Sequence, residues 1–367
     1  MGLLLEFDKG KRQGEKMNKI NMAAFGLSDR FAALTKEYPD LTVGRILSQE
    51  KGLYRVIAEH GEQFAETSGK FRYAVQSVSA FPAVGDFVMM DCKKSNNHAI
   101  IHHVLPRKSG FVRKAAGTAN KEQVVAANID NVFICMSLNN DFNPRRLERY
   151  LSVCWESGAV PVVVLTKSDL CNDTDEKLLA VEAVTMGADI LITSSVEEDG
   201  YKQVLSYIKR GQTIALIGSS GVGKSTIINC LLGENRIETN GLRRDDKGRH
   251  TTTKRELFLL PDGGLVIDTP GMRELGMWDA GGGLDKTFSD VEEMAANCHF
   301  KDCSHTSEPG CAVLAAIEDG ELSADRLQSY RKLKAENAYV EDTESYLVSK
   351  EQKLKDISKF AKQIRRK

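Results

Sequence analysis

Between residues 41 and 105 short apolar runs alternate with turn residues: LTVGRIL, GLYRVIAE, KFRYAV, VGDFVMMD and HAIIHHVL. Five strands of this length in so short a stretch predict a small barrel of the OB type, whose open face often takes oligonucleotides. From residue 129 the rhythm changes. IDNVFICMSL, VPVVVLT, ADILITSS and TIALIG read as near-continuous apolar strands, and PRRLERYLSVCWESG, DEKLLAVEAVTMG, YKQVLSYIKRG and STIINCLLG carry helical spacing. That alternation predicts βαβ units, hence a largely parallel sheet with helices on both faces. LFLLPDGGLVIDTPG follows as a hairpin turning at Asp262-Gly263-Gly264. AVLAAIEDG and SADRLQSYRKLKAENAYVE continue as helices. The first 40 residues are polar and mixed, predicting an arm with a short helix, and PRKSGFVRKAAGTANK (106–121) reads as a basic linker.

Composition narrows the class. A chain of 367 residues is long for one core and predicts two or three domains. The net charge of −1 argues neither for nor against an anionic partner. Its distribution says more: KEQKLKDISKFAKQIRRK (350–367) is strongly basic and KGKRQGEKMNK (9–19) mildly so, each either a solvated tail or an anion-binding segment. No apolar run approaches the ~18 residues of a membrane span. GLLLEF is too short for a signal-peptide core, and Glu6 fails the N-myristoylation pattern, so a cytoplasmic monomer without a membrane partner is expected. Five of the eight cysteines (Cys92, Cys135, Cys154, Cys171, Cys230) are scattered and read as free thiols, with no disulfides indicated. Tyr54, Phe71, Tyr73 and Phe87 in the barrel are base-stacking groups or core filling, with filling the favoured role for most.

Chemistry enters with IALIGSSGVGKSTIINCLLG (214–233), a strand that breaks into a glycine-rich turn and restarts as a helix. The pattern G-x-x-x-x-G-K-[ST] covers Gly218, Ser219, Ser220, Gly221, Val222, Gly223, Lys224 and Ser225, with Thr226 next in the helix. Glycines let backbone N–H groups surround phosphate oxygens, and the helix points its positive end at them. Lys224 would reach the β- and γ-phosphates as the catalytic charge, and the Ser225 hydroxyl would sit on Mg²⁺. The base reader lies upstream. VVVLTKSDL ends a strand with Thr166-Lys167-Ser168-Asp169, an [NT]-K-x-D sequence that reads guanine in the GTPase superfamily: the carboxylate accepts from N1–H and the 2-amino group, which adenine does not offer. Ser194 and Ser195 stand at the next strand end, where the superfamily places a backbone donor to guanine O6. All three loops lie beyond the carboxyl ends of strands, as ligand sites in open α/β sheets do.

Two further pieces follow the phosphate loop. Asp268, opening DTPG, would hold Mg²⁺ through water, and GRHTTTKRE (248–256) resembles a first switch, with Thr251, Thr252 or Thr253 as sensor. The order is therefore base reader, serine loop, phosphate loop, switch, DTPG: a circular permutation of a GTPase domain, fused at KRGQT (209–213).

At this point the chain resembles the circularly permuted, ribosome small-subunit-dependent GTPase A family, from about residue 41 to at least residue 311. Three cysteines in CHFKDCSHTSEPGC, with one of its two histidines, suit a closed tetrahedral zinc site. The resemblance selects Cys298, Cys303, His305 and Cys311, leaving His299 spare. With four protein ligands the ion would be structural. The expected architecture is multidomain: an arm (1–40), an OB-fold β-barrel (41–108), a circularly permuted α/β P-loop GTPase domain (109–288), and a zinc-binding helical domain with a basic tail (289–367). The resemblance implies hydrolysis of GTP to GDP and phosphate, late maturation of the small (30S) ribosomal subunit, stimulation by that subunit, and rRNA contacts from barrel and zinc domain. The glycine-rich 279–283 stretch links DTPG to that domain, offering a switch-driven reorientation. Competing readings are a P-loop ATPase or kinase, which Asp169 opposes, and an RNA-binding module holding nucleotide as a structural ligand. One residue is absent. Ras-like GTPases follow the DxxG glycine with a water-orienting Gln, whereas here Met272 stands there. His250 is then either the group that places the water or an exposed loop histidine.

Overall fold

The computed structural model describes residues 19–75, 77–92, 98–114, 122–197, 200–237, 255–268 and 281–338. Five strands, β1 (Thr42–Glu50), β2 (Leu53–Ala58), β3 (Gly61–Thr67), β4 (Phe87–Cys92) and β5 (His98–Val104), pair in the order β1-β2-β3-β5-β4, and β4 returns to β1. The closed five-stranded barrel is the expected OB fold. Ile46, Tyr54, Val56, Val88, Met90 and Ile101 fill it. Tyr54 and Phe87 are core filling, 2% and 1% exposed, whereas Tyr73 is 94% exposed. In the preceding segment, helix α1 (Asp29–Thr35) buries Phe31 against Phe87, ring centroids 4.4 Å apart.

Two expectations need correction. KFRYAV is not the third strand: residues Gly69–Ala74 form helix α2, because the Ser68 hydroxyl accepts from the Phe71 amide and caps it. The strand lies earlier, at GEQFAET, where Glu59 and His60 form a two-residue turn that pairs Ala58 with Gly61. The basic linker likewise contains a strand. β6 (Gly110–Lys114) pairs antiparallel with β7 (Glu122–Ala127), because Phe111 is fully buried in the main core and holds the segment down.

The second half of the sheet is β8 (Asn131–Ser137), α3 (Pro144–Ser157), β9 (Val160–Thr166), α4 (Thr174–Glu182), β10 (Asp189–Ile192), α5 (Lys202–Tyr207), β11 (Thr213–Ile217), α6 (Lys224–Leu232), β12 (Glu256–Leu259) and β13 (Leu265–Asp268). The strand order is β10-β9-β8-β11-β13-β12; all pairs are parallel except the β12–β13 hairpin. Strand alternation divides the core. Val132, Ile134 and Met136 pack with Leu147, Leu151 and Val181 of α3 and α4, while Phe133 and Cys135 pack with Val204, Ile227 and Leu231 of α5 and α6. α3 starts at Pro144 behind the Asn143 cap and stops at Gly158, whose φ of 79° suits glycine.

β12 also pairs with β1, joining barrel and parallel sheet. Buried Arg45 reinforces that junction, donating to Gly85 O (3.2 Å), Phe25 O (2.5 Å) and Thr213 Oγ1 (2.8 Å). The C-terminal unit comprises α7 (Gly281–Thr287), α8 (Ser289–Ala295), α9 (Ala312–Glu318) and a helical run at 324–338, packed around Phe288, Val291, Val313 and Tyr330. It docks on α3. Glu148, fully buried, accepts from Arg326 at 2.8 Å, and Arg326 also donates to Thr287 O (2.6 Å) and Asp290 (3.0 Å). Among the described residues no helix is long and apolar enough to cross a membrane.

Candidate nucleotide and metal sites

The parallel strands β8, β9, β10, β11 and β13 end at one edge of the sheet, so TKSD, the serine loop, the phosphate loop and Asp268 converge there from separate parts of the sequence. Gly218 has φ 141°, and a Cβ there would lie 2.2 Å from Cys135 O; only glycine lets β11 turn this close to β8. Gly223, at φ 100°, delivers the chain into α6. Lys224 Nζ folds over the loop, donating to Gly218 O at 2.7 Å and to Ser219 O. Ser225 follows in the first helical turn, half-buried.

Opposite the loop, Thr166 Oγ1 donates to Val222 O at 2.7 Å, tying the TKSD loop to the phosphate loop. Lys167 takes the left-handed conformation at φ 60°, and Ser168 N donates to Thr193 O at 3.3 Å. Asp169 is exposed, and its Oδ1 accepts from Ser194 Oγ at 2.6 Å, which fixes the carboxylate's direction. Ser195 is exposed beside it, near Tyr201. Asp268 ends β13 next to β11. The candidate residues from Thr166 to Asp169, Ser194, Ser195, Gly218 to Thr226 and Asp268 thus share one edge. His250, Thr251, Thr252, Thr253, Met272 and the tail 350–367 lie outside the described residues. Sequence reasoning missed two participants on α3: Arg146, whose side chain reaches Ser219, and Tyr150, which stands near it. A helical pattern with two adjacent arginines gave no sign of that contact.

The second site is the cysteine cluster. The ligand atoms of Cys298, Cys303, His305 and Cys311 all lie within 4.8 Å of one another. Cys298 Sγ is 3.6 Å from His305 Nδ1 and 3.9 Å from Cys311 Sγ, and Cys311 Sγ is 3.5 Å from the same nitrogen. Tetrahedral zinc bonds of ~2.3 Å to sulfur and ~2.1 Å to nitrogen imply S···S near about 3.8 Å and S···N near about 3.6 Å. The donors fit. Burial opposes ionisation of Cys298, but the Val313 and Ala312 amides at the start of α9 outweigh it and lower the thiol's pKa. Burial, with Lys334 and Arg331 nearby, lowers the His305 pKa and favours the neutral imidazole a metal takes. His299 packs edge-on against Phe300 instead, ring centroids 4.7 Å apart. Cys135 and Cys154 are buried thiols, and burial pushes Cys135 up to about 12.

A phosphate loop, the TKSD loop and Asp268 on one sheet edge, met along the chain in permuted order, define a circularly permuted P-loop GTPase. A family model described as RsgA GTPase matches residues 104–278. The chain is 49% identical over 324 residues to the small ribosomal subunit biogenesis GTPase RsgA 2 of Lactiplantibacillus plantarum, covering 87% of this chain and 90% of the relative. It is 44% identical over 315 residues to RsgA 1 of Oceanobacillus iheyensis, covering 85% and 90%. Among solved structures, YjeQ from Thermotoga maritima is 27% identical with a TM-score of 0.61, covering 81% of this chain and 99% of that one. YloQ, described as a circularly permuted GTPase, is 25% identical with a TM-score of 0.59, covering 82% and 96%. The chain belongs to the RsgA GTPase family.

Proposed function

We propose that this GTPase converts GTP to GDP and phosphate late in maturation of the small ribosomal subunit, stimulated by that subunit. One observation carries the nucleotide reading: TKSD, the serine loop and the phosphate loop meet at a single edge, with Ser194 donating to Asp169. The names of its relatives support the ribosomal part.

In this reading Asp169 accepts from guanine N1–H and the 2-amino group, Lys167 covers the ring, and the Ser194–Ser195 turn faces O6. Thr166 and Ser168 hold that loop in shape. Backbone amides from Gly218 to Thr226 cradle the phosphates, and Lys224 lies against the β- and γ-oxygens. The Ser225 hydroxyl and the Asp268 carboxylate are hard oxygen donors suited to Mg²⁺, which when bound neutralises charge developing on the phosphates. His250 is the candidate for placing the attacking water. Zinc held by Cys298, Cys303, His305 and Cys311 pins a segment too short to build its own core. The barrel (41–108) and the zinc-pinned unit (289–367) contact rRNA, the permuted domain (109–288) carries catalysis, and the protein works as a cytoplasmic monomer.

The test is GTP and ATP turnover with and without purified small subunits. Stimulated GTP turnover with ATP inert is expected. Equal use of ATP, or turnover indifferent to subunits, would overturn the reading.

A further inference from the structure

Helix α3 touches the phosphate loop with one flank and the C-terminal unit with another. On the first flank, Arg146 Nη1 donates to Ser219 Oγ and, at 2.8 Å, to Asp141 Oδ1. One turn later Tyr150, only 7% exposed, places its hydroxyl near the same serine. Ser219 is well placed to matter, because its own carbonyl accepts from Lys224 Nζ. A shift at Ser219 therefore disturbs both the amide cradle and the lysine that the phosphates need.

The second flank carries the docking contacts. Glu148 binds Arg326 at 2.8 Å, Arg149 binds Glu336 at 2.8 Å, and Ser152 Oγ meets Thr287 Oγ1 at 3.1 Å. α7 lies flush on the helix: a Cβ on Gly283 would stand 1.8 Å from Ser152 O. A well-packed helix moves as a body, so displacement at one set of contacts is felt at the other.

We propose that Arg146 and Tyr150 are positioning residues for the phosphate loop, acting through Ser219, and that α3 thereby couples GTP binding to docking of the C-terminal unit. This rests on the reading of the loop as the GTP site. The route is separate from the covalent connection through 269–280. Because coupling is reciprocal, GTP tightens the docked unit to the extent that docking favours GTP.

The experiment measures, in the full chain, the Kd of a non-hydrolysable GTP analogue and amide hydrogen exchange in α7 and 324–338 with and without it. Wild type should gain protection there when the analogue binds. Arg146→Ala and Ser219→Ala should each weaken binding by about tenfold. At saturating analogue both should lose the added protection. The double variant should bind no worse than the weaker single, since both remove one interaction. Arg146→Lys should restore part of the affinity, keeping the charge but not the planar fork. Tyr150→Phe, which removes only a hydroxyl, carries the same expectation in milder form should Arg146→Ala fail to fold. Full protection in the saturated variants would overturn the proposal and assign the coupling to 269–280. So would unchanged analogue affinity in Arg146→Ala and Ser219→Ala, which marks a merely structural contact. Wild type that fails to bind the analogue would instead refute the reading of the GTP site, whereas binding without a change in protection sinks only this inference.

Discussion

Thr166 opens the TKSD loop with a short side chain. The hydroxyl nevertheless reaches Val222 O at 2.7 Å, because β9 runs beside β8 and brings TKSD close to the phosphate loop. Residue identity was readable; the distance the side chain had to cover was not. Asp169 is held by Ser194, so its exchange should expose the chemistry of base reading directly. Asp169→Asn loses the acceptor for guanine N1–H, and a site built around one hydrogen bond discriminates strongly against its loss. GTP should bind at least about tenfold more weakly and xanthosine triphosphate relatively better, as competition binding will read; unchanged GTP affinity would remove TKSD from the site. His250 is argued from chemistry alone, since Met272 offers only a weak acceptor for water. His250→Ala should keep GTP binding and lose most of the subunit-stimulated rate; full stimulation would move the catalytic group to the ribosome.

Strands and helices with a sustained period were recoverable from the chain. β8, β9 and β11 are largely apolar runs because helices cover both faces, and α3 between β8 and β9 keeps one apolar stripe. KFRYAV failed because six residues hold too little period to separate strand from helix, and the deciding signal was the capping Ser68 just before it. β6 failed because basic composition spoke for a linker while its pairing with β7 depends on a buried Phe111. The glycines of the phosphate loop were read as a group, whereas the structure ranks them. Gly218 meets backbone at 2.2 Å in a conformation closed to other residues, and Gly221 has open space. Gly218→Ala should therefore abolish nucleotide binding and cost at least about 1–3 kcal/mol of stability in denaturant titration, while Gly221→Ala meets no clash and pays only for its φ of 78°. Equal effects at the two positions would contradict this ranking.

Contacts between units left almost no trace in the sequence. The cysteine cluster is legible because its residues are local in sequence; Arg45 at the barrel junction and Arg326, which docks the C-terminal unit onto α3, are long-range partners that no pattern announces. Cys303→Ala should release zinc and loosen α8 and α9 while GTP still binds, with elemental analysis and proteolysis as readouts; zinc-free wild-type protein would refute a structural ion. The Glu148–Arg326 contact allows a sharper test of docking. Both side chains are nearly inaccessible, at 0% and 4% exposure, so each ion lost its hydration to enter the interface. Arg326→Met leaves the carboxylate buried with Arg145 and Ser329 as remaining partners, and it also strips Thr287 O and Asp290 of their donor. Breaking one side of a buried pair costs roughly 3–5 kcal/mol, whereas replacing both ions with apolar groups is often close to neutral. Glu148→Leu combined with Arg326→Met should accordingly be more stable than Arg326→Met alone, despite carrying the additional substitution. Urea unfolding of wild type, both singles and the double closes the cycle. A double variant less stable than Arg326→Met would mean that Glu148 still stabilises the docked unit through Arg145 and Ser329 once Arg326 is gone.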